Sequence, residues 1–129
     1  MGEWTLEAAD VYLRKYKYYE KKHPHELAAV IGNLDAYFET LNKVSNPLQV
    51  KAGFIHNEPD GIKGIDQKGG GQKVKLQQTR LYIFPNSSDK TLYLLTIGDK
   101  NSQRDDINFC REYVRKDIQT KEVKDEYKI

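Results

Sequence analysis

Cysteine occurs once, at Cys110, which excludes an internal disulfide and fits a reducing cytoplasm. It stands beside Phe109 in a helical pattern, where a small core residue is the expected role. No apolar run of membrane length is present, nor an N-terminal apolar segment of the signal-peptide kind. Neither a membrane-spanning nor a secreted protein is expected. Histidine is scarce as well. His23 and His25 flank Pro24, and His56 stands alone in an expected loop. With no second cysteine and no paired His–Glu helix, no metal site is expected. The glycines at 69–71 lack the Gly-Lys-Ser/Thr and the opening helix of a phosphate loop, so they read as turn material. No cofactor is expected from any motif, and no internal repeat occurs.

What is present fits one domain, since 129 residues suffice for a single core. The formal net charge of +2 makes a weak overall field, but the charge is unevenly spread. Residues 1–60 carry 7 Lys/Arg against 9 Asp/Glu, whereas residues 61–129 carry 14 against 10. Between 61 and 80, Lys63, Lys68, Lys73, Lys75 and Arg80 face a single acid, Asp66. Such a stripe suits phosphate binding, or equally the solvated face of a hairpin.

Hydrophobic spacing supplies the elements. "VYLRKYKYYEKK", inside a first helix expected from about Leu6 to Lys22, alternates aromatics with bases. Val11, Leu13, Tyr16, Tyr18 and Tyr19 are its candidate inward residues. Leu27, Val30, Ile31, Leu34, Phe38 and Leu41 recur at three- and four-residue steps and predict a second helix, bracketed by Pro24 and Pro47. Period two follows. "IKGID" predicts a short strand and "VKLQQTRLYIF" a longer one; "PNSSDK" predicts a turn, and "TLYLLTI" the most apolar, central strand. A last helix is expected over 103–118, with Asp105 and Asp106 at its positive dipole end and Ile107, Cys110, Val114 and Ile118 inward. The reading is an α+β domain: a helical hairpin (1–46), a small twisted antiparallel sheet (61–98), a C-terminal helix (103–118) and a charged tail (119–129).

Within that frame Lys73 and Lys75, two apart on a strand, would share one sheet face. Arg80 has the opposite parity unless a bulge near 77–79 returns it, and Lys100 follows the central strand. The cluster would hold a nucleic-acid backbone and stabilise charge at phosphorus, or else be a lysine-rich edge that discourages aggregation.

"GIKGIDQKGGGQKVKL", "TRLYIFPNSSDKTLYLL" and above all "IGDKNSQRDDINFCREYV" together resemble the RelE/ParE superfamily of bacterial toxin–antitoxin toxins, and within it the HigB-like addiction module killer proteins. The resemblance covers roughly residues 50–118; the N-terminal helices match only in kind. It implies a RelE-like fold, a cognate antitoxin protein as partner, and cleavage of mRNA on the ribosome. It also implies that the RNA 2′-hydroxyl is the nucleophile, so that acid, base and charge stabilisers suffice without a metal. Lys73, Lys75, Arg80 and Lys100 match the family's catalytic cations, with Lys63, Lys68, Tyr82 and Arg104 as further RNA contacts. One departure stands out: Ile107 occupies the position where some members carry a catalytic tyrosine, leaving His56 and Tyr82 as substitutes. Gyrase poisoning, or RNA or protein binding without catalysis, stand as alternative functions on the same scaffold.

Overall fold

The computed structural model describes residues 3–69 and 76–120. Its strands are β1 (Thr5–Ala8), β2 (Ile55–Asn57), β3 (Lys63–Ile65), β4 (Thr79–Asn86) and β5 (Thr91–Asp99). The helices are α1 (Asp10–Lys22), α2 (Pro24–Val44) and α3 (Gln103–Tyr113); a wider-turned π segment (Val114–Gln119) continues α3. The strands form one sheet in the order β1-β5-β4-β3-β2. No helix among the described residues is long and apolar enough to cross a membrane.

The α+β class agrees with the sequence, but the sheet is mixed rather than antiparallel. β1 precedes the helices and pairs parallel with β5, with Leu6 opposite Leu92. Leu6 therefore belongs to a strand rather than to the first helix. A four-residue edge strand with three exposed positions carries almost no alternation signal, and its partner lies more than eighty positions away. β4 begins at Thr79, with Leu76–Gln78 irregular, and runs on through Pro85 to Asn86. The proline falls next to the strand's end, where a missing amide is tolerated.

Helices cover both faces. α1 and α2 pack on Ile65, Leu81, Ile83, Leu92, Leu94 and Ile97, while Tyr82, Phe84, Tyr93 and Leu95 face α3 through Cys110, Val114 and Ile118. The alternation holds because of a bulge. Tyr82 opposes Thr96 but Ile83 opposes Leu94, so Leu95 is the extra residue on β5. The bulge shifts parity, which brings Ile97 onto the α1/α2 face and Gly98 beneath α3.

Two helical stripes differ from expectation in opposite ways. On α2 the predicted Leu27, Val30, Leu34 and Leu41 are buried, joined by Tyr37. On α1 the inward residues are Tyr12, Tyr16 and Tyr19, whereas Leu13 and Tyr18 are about half exposed, at 48% and 52%. Burial pushes the Tyr12 and Tyr19 hydroxyls up to about 12, assisted by neighbouring acids and tyrosines. They stay neutral at physiological pH.

β5 ends where Asp99 caps the next turn, accepting from the amides of Asn101 and Ser102. Ser102 donates to Asp106 at 2.7 Å. A side chain at Gly98 would run into the Asp106 carboxylate and the Ser102 hydroxyl, so the absence of a Cβ lets α3 start against the strand. Gly98→Ala should therefore cost about 1–3 kcal/mol of stability, the usual penalty of overpacking, read from the urea midpoint. An unchanged midpoint would refute this close approach.

Candidate functional site

β2 and β3 form a hairpin closed by Pro59-Asp60-Gly61, with Asp60 at φ 63° and Gly61 at φ 81°. The turn places His56 opposite Gly64, and Gly64 in turn opposite Tyr82. Cross-strand partners share a face, so His56, Gly64 and Tyr82 line one row on the α3 side of the sheet. His56 thus stands on a strand, not in the expected loop.

The His56 ring is fixed by a buried acid. Its Nε2 lies 2.6 Å from Asp66 Oδ2, and the Asp66 side chain is only 5% exposed against 28% for His56. Asp66 Oδ1 accepts from the Lys68 amide at 2.8 Å. The Asp66 backbone is held by Phe54 and by the Asn33 amide group. A carboxylate anchored at both oxygens orients the imidazole. With Nε2 donating to it, Nδ1 carries the lone pair and becomes the proton acceptor.

Beside the pair, Arg80 Nη1 approaches Glu58 Oε2 at 3.5 Å, with both side chains under a fifth exposed. Arg80 Nε and the Tyr82 hydroxyl are buried without a hydrogen-bond partner among the described residues. Gly64 makes the floor between them: a methyl group there would stand 3.5 Å from both Arg80 and Tyr82 and 3.7 Å from Glu58. Tyr82 is fully buried, and desolvation, chiefly, together with Asp106, drives its hydroxyl far above the usual tyrosine range. It supports the site from behind as a neutral group. An anion that reaches Arg80 must compete with Glu58 for it.

The remaining predicted residues divide. Lys68 joins the cluster from its rim, its Nζ 3.8 Å from Asp66, which at 69% exposure is a weak interaction. Lys100 is exposed just after β5 and borders a cleft of about 520 Å³ with Leu76, Gln77 and Gln78. Lys63 donates to Asn57 at 2.6 Å and has the parity of Ile65, which sets it on the other face; desolvation lowers its pKa. Arg104 is exposed in the first turn of α3, apart from the His56 pair. Lys73 and Lys75 lie outside the described residues. Leu76–Thr79 is tied by Gln67 to Gln77 and Thr79 and by Glu26 to the Gln77 amide. No group of His, Cys, Asp and Glu among the described residues has a metal-binding arrangement.

Asp66 and Glu58 are the residues that sequence reasoning missed. Ten positions separate His56 from Asp66, so no local motif joins them. The available signal was "EPDGI", a turn between "IHN" and "KGI" that folds a hairpin and brings His56 alongside β3.

Compared with protein-family models, with curated proteins and with solved structures, the chain finds no match.

Asp106 adds a titrating group behind this face. Desolvation raises its pKa, with Asp99 and Asp105 adding to the effect and the Ser102 hydrogen bond and Lys15 opposing it. An acid whose folded value is raised penalises folding while charged, and the penalty is relieved as pH falls through that value. Asp106→Asn, which still accepts from Ser102, should be at least as stable as the parent at neutral pH. Its advantage should shrink as pH falls to about 4, where unfolded aspartate protonates. Denaturant titrations across that range that show a less stable variant with a constant gap would refute the assignment.

Proposed function

We propose that this chain is a toxin of a bacterial type II toxin–antitoxin system, cleaving mRNA on the ribosome without a metal. The observation that carries the reading is the His56–Asp66 pair on one sheet face with Arg80. Support also comes from the α+β order, in which a C-terminal helix follows an apolar strand, and from the sequence resemblance.

In the proposed reaction, His56 Nδ1 takes the proton of the RNA 2′-hydroxyl, whose oxygen attacks the adjacent phosphorus. The P–O5′ bond breaks, leaving a 2′,3′-cyclic phosphate and a 5′-oxygen that is protonated from solvent or from the imidazolium. Asp66 stabilises the imidazolium that forms. Arg80, once released from Glu58, balances the charge growing on the phosphoryl oxygens, aided by Lys100 and by the sequence-matched Lys73 and Lys75. His56 then fills the acid–base role that Ile107 vacates relative to the tyrosine-bearing family members.

Induced expression in a bacterium should arrest growth, and purified protein added to translating ribosomes should leave cut mRNA ending in cyclic phosphate. His56→Ala should lower the cleavage rate about 10²- to 10⁴-fold, the range for a lost acid–base group. Arg80→Ala should cost about 10²- to 10³-fold, the range for one electrostatic stabiliser. Full growth arrest by the folded His56→Ala protein would remove His56 from the mechanism. Harmless expression of the folded parent would instead indicate binding without catalysis. Inhibited gyrase with intact mRNA would move the protein to the gyrase-poisoning class.

A further inference from the structure

The outer face of α1 is a second cationic surface, and the reading of the sheet face makes no use of it. Because Tyr12, Tyr16 and Tyr19 turn inward, Leu13, Arg14, Lys17, Tyr18, Lys21 and Lys22 all point to solvent. The acids of this helix are Asp10 in the first turn and Glu20 at the rim. Several exposed bases elsewhere are matched, as in Lys43–Glu39, Arg111–Asp60 and Lys116–Glu112, while Lys51, Lys100 and Arg104 stand singly in other places and form no cluster like that on α1. Among the described residues, Arg14, Lys17, Lys21 and Lys22 have no ion-pair partner. Their charge is available to an outside anion.

An aromatic shelf stands among them. The Tyr18 ring is half exposed yet braced, 5.5 Å from the Tyr19 ring at an interplanar angle of 77° and 5.9 Å from His23. A fixed, open ring between cations is the arrangement that binds an unstacked base next to its phosphates. From Leu13 to Lys22 the helix rises about 13 Å at 1.5 Å per residue. That length spans a few nucleotides of a single strand. A membrane surface fits poorly, because the apolar face of α1 is already spent on the core and only Leu13 and Tyr18 emerge, without forming a stripe. An acidic protein would want an apolar centre within a polar rim, whereas here cations separate the two apolar groups.

We propose that this face binds a single strand of RNA, with phosphates on Arg14, Lys17, Lys21 and Lys22 and a base stacked on Tyr18. Single-stranded RNA, whose bases are splayed and open to stacking, is the form such a shelf accepts. The surface lies on the opposite side of the sheet from His56 and Arg80. The proposal therefore stands whether or not the sheet face cuts RNA.

The test is fluorescence anisotropy of a fluorescein-labelled 12-nucleotide RNA with the full chain, titrated from 50 to 200 mM KCl. The quadruple variant Arg14→Gln, Lys17→Gln, Lys21→Gln, Lys22→Gln should bind at least tenfold more weakly. Its slope of log K against log salt should be shallower by about 3, since each neutralised phosphate contributes about 0.7. Tyr18→Ala should weaken binding by about fivefold or more, the low end for one lost stacking contact, and Tyr18→Phe should restore it. Matching circular dichroism spectra establish folding. If the quadruple variant fails to fold, the pair Lys17→Glu, Lys21→Glu should give the same loss. No binding by the parent, or unchanged affinity and slope in the folded variant, would overturn the proposal. So would phosphatidylserine vesicles binding the parent while the RNA does not.

Discussion

Strand β5 must be apolar on both sides, and the rest of the molecule is arranged around that demand. Flanked by β1 and β4 and roofed by helices above and below, it buries every residue from Thr91 to Gly98. A strand in that position can supply two cores only if its side chains keep strict alternation. The bulge at Leu95 interrupts the alternation once, and the interruption is what delivers Gly98 rather than Ile97 to the underside of α3. A bulky Ile97 there would hold the helix away from the sheet. With glycine in place, Asp106 and Ser102 come down onto the strand end, and α3 closes over Tyr82, Leu95 and Cys110.

That closure is partial, and the candidate site occupies what it leaves. α3 covers the β4–β5 half of its face, while the half nearer β2 carries His56, Glu58 and Arg80. Two adjacent strand spacings of about 4.8 Å put the His56 and Tyr82 backbones about 10 Å apart. The same row therefore passes from a half-open imidazole to a fully buried phenol. Acids hold both polar groups at the open end, Asp66 for His56 and Glu58 for Arg80. Each acid is itself largely buried, so its attraction is less screened than that of the exposed pairs on α2 and α3. Geometry that would otherwise drift is held in place.

Long elements with strong periodicity were legible in the sequence. The α2 stripe, β5 and the third helix follow from spacing alone because each buries one consistent set of positions. β1 was not legible, because a short exposed edge strand is created by its partner's backbone rather than by its own side chains. On α1 the tyrosines made inward and outward faces look alike, since tyrosine serves in a core and on a surface. Of the candidate site, Arg80 stands out in the sequence by the charge of its stretch. Asp66 does not: in sequence it is the lone acid in a basic stretch, and its significance arises only when a hairpin folds it onto His56.

A near-neutral chain can still carry strongly polarised surfaces, and here the segregation follows from the sandwich. Each face of the sheet is spent on a helix layer, so charge is confined to helix exteriors and to the uncovered sheet margin. α3 and its continuation mix signs, pairing Arg115 and Lys116 with Glu112 and Arg111 with Asp60 of the β2–β3 turn. The margin offsets its cations with buried acids. α1 does neither, and its tyrosine stripe explains why: with aromatics taking the core positions, the outward arc is left to Arg14, Lys17, Lys21 and Lys22, with Asp10 and Glu20 at its ends. Screening shortens the reach of that arc to about 8–10 Å at physiological salt. Its field therefore acts most strongly on whatever touches α1. The two cationic regions use different side chains on opposite sides of the sheet, which makes them separable by substitution.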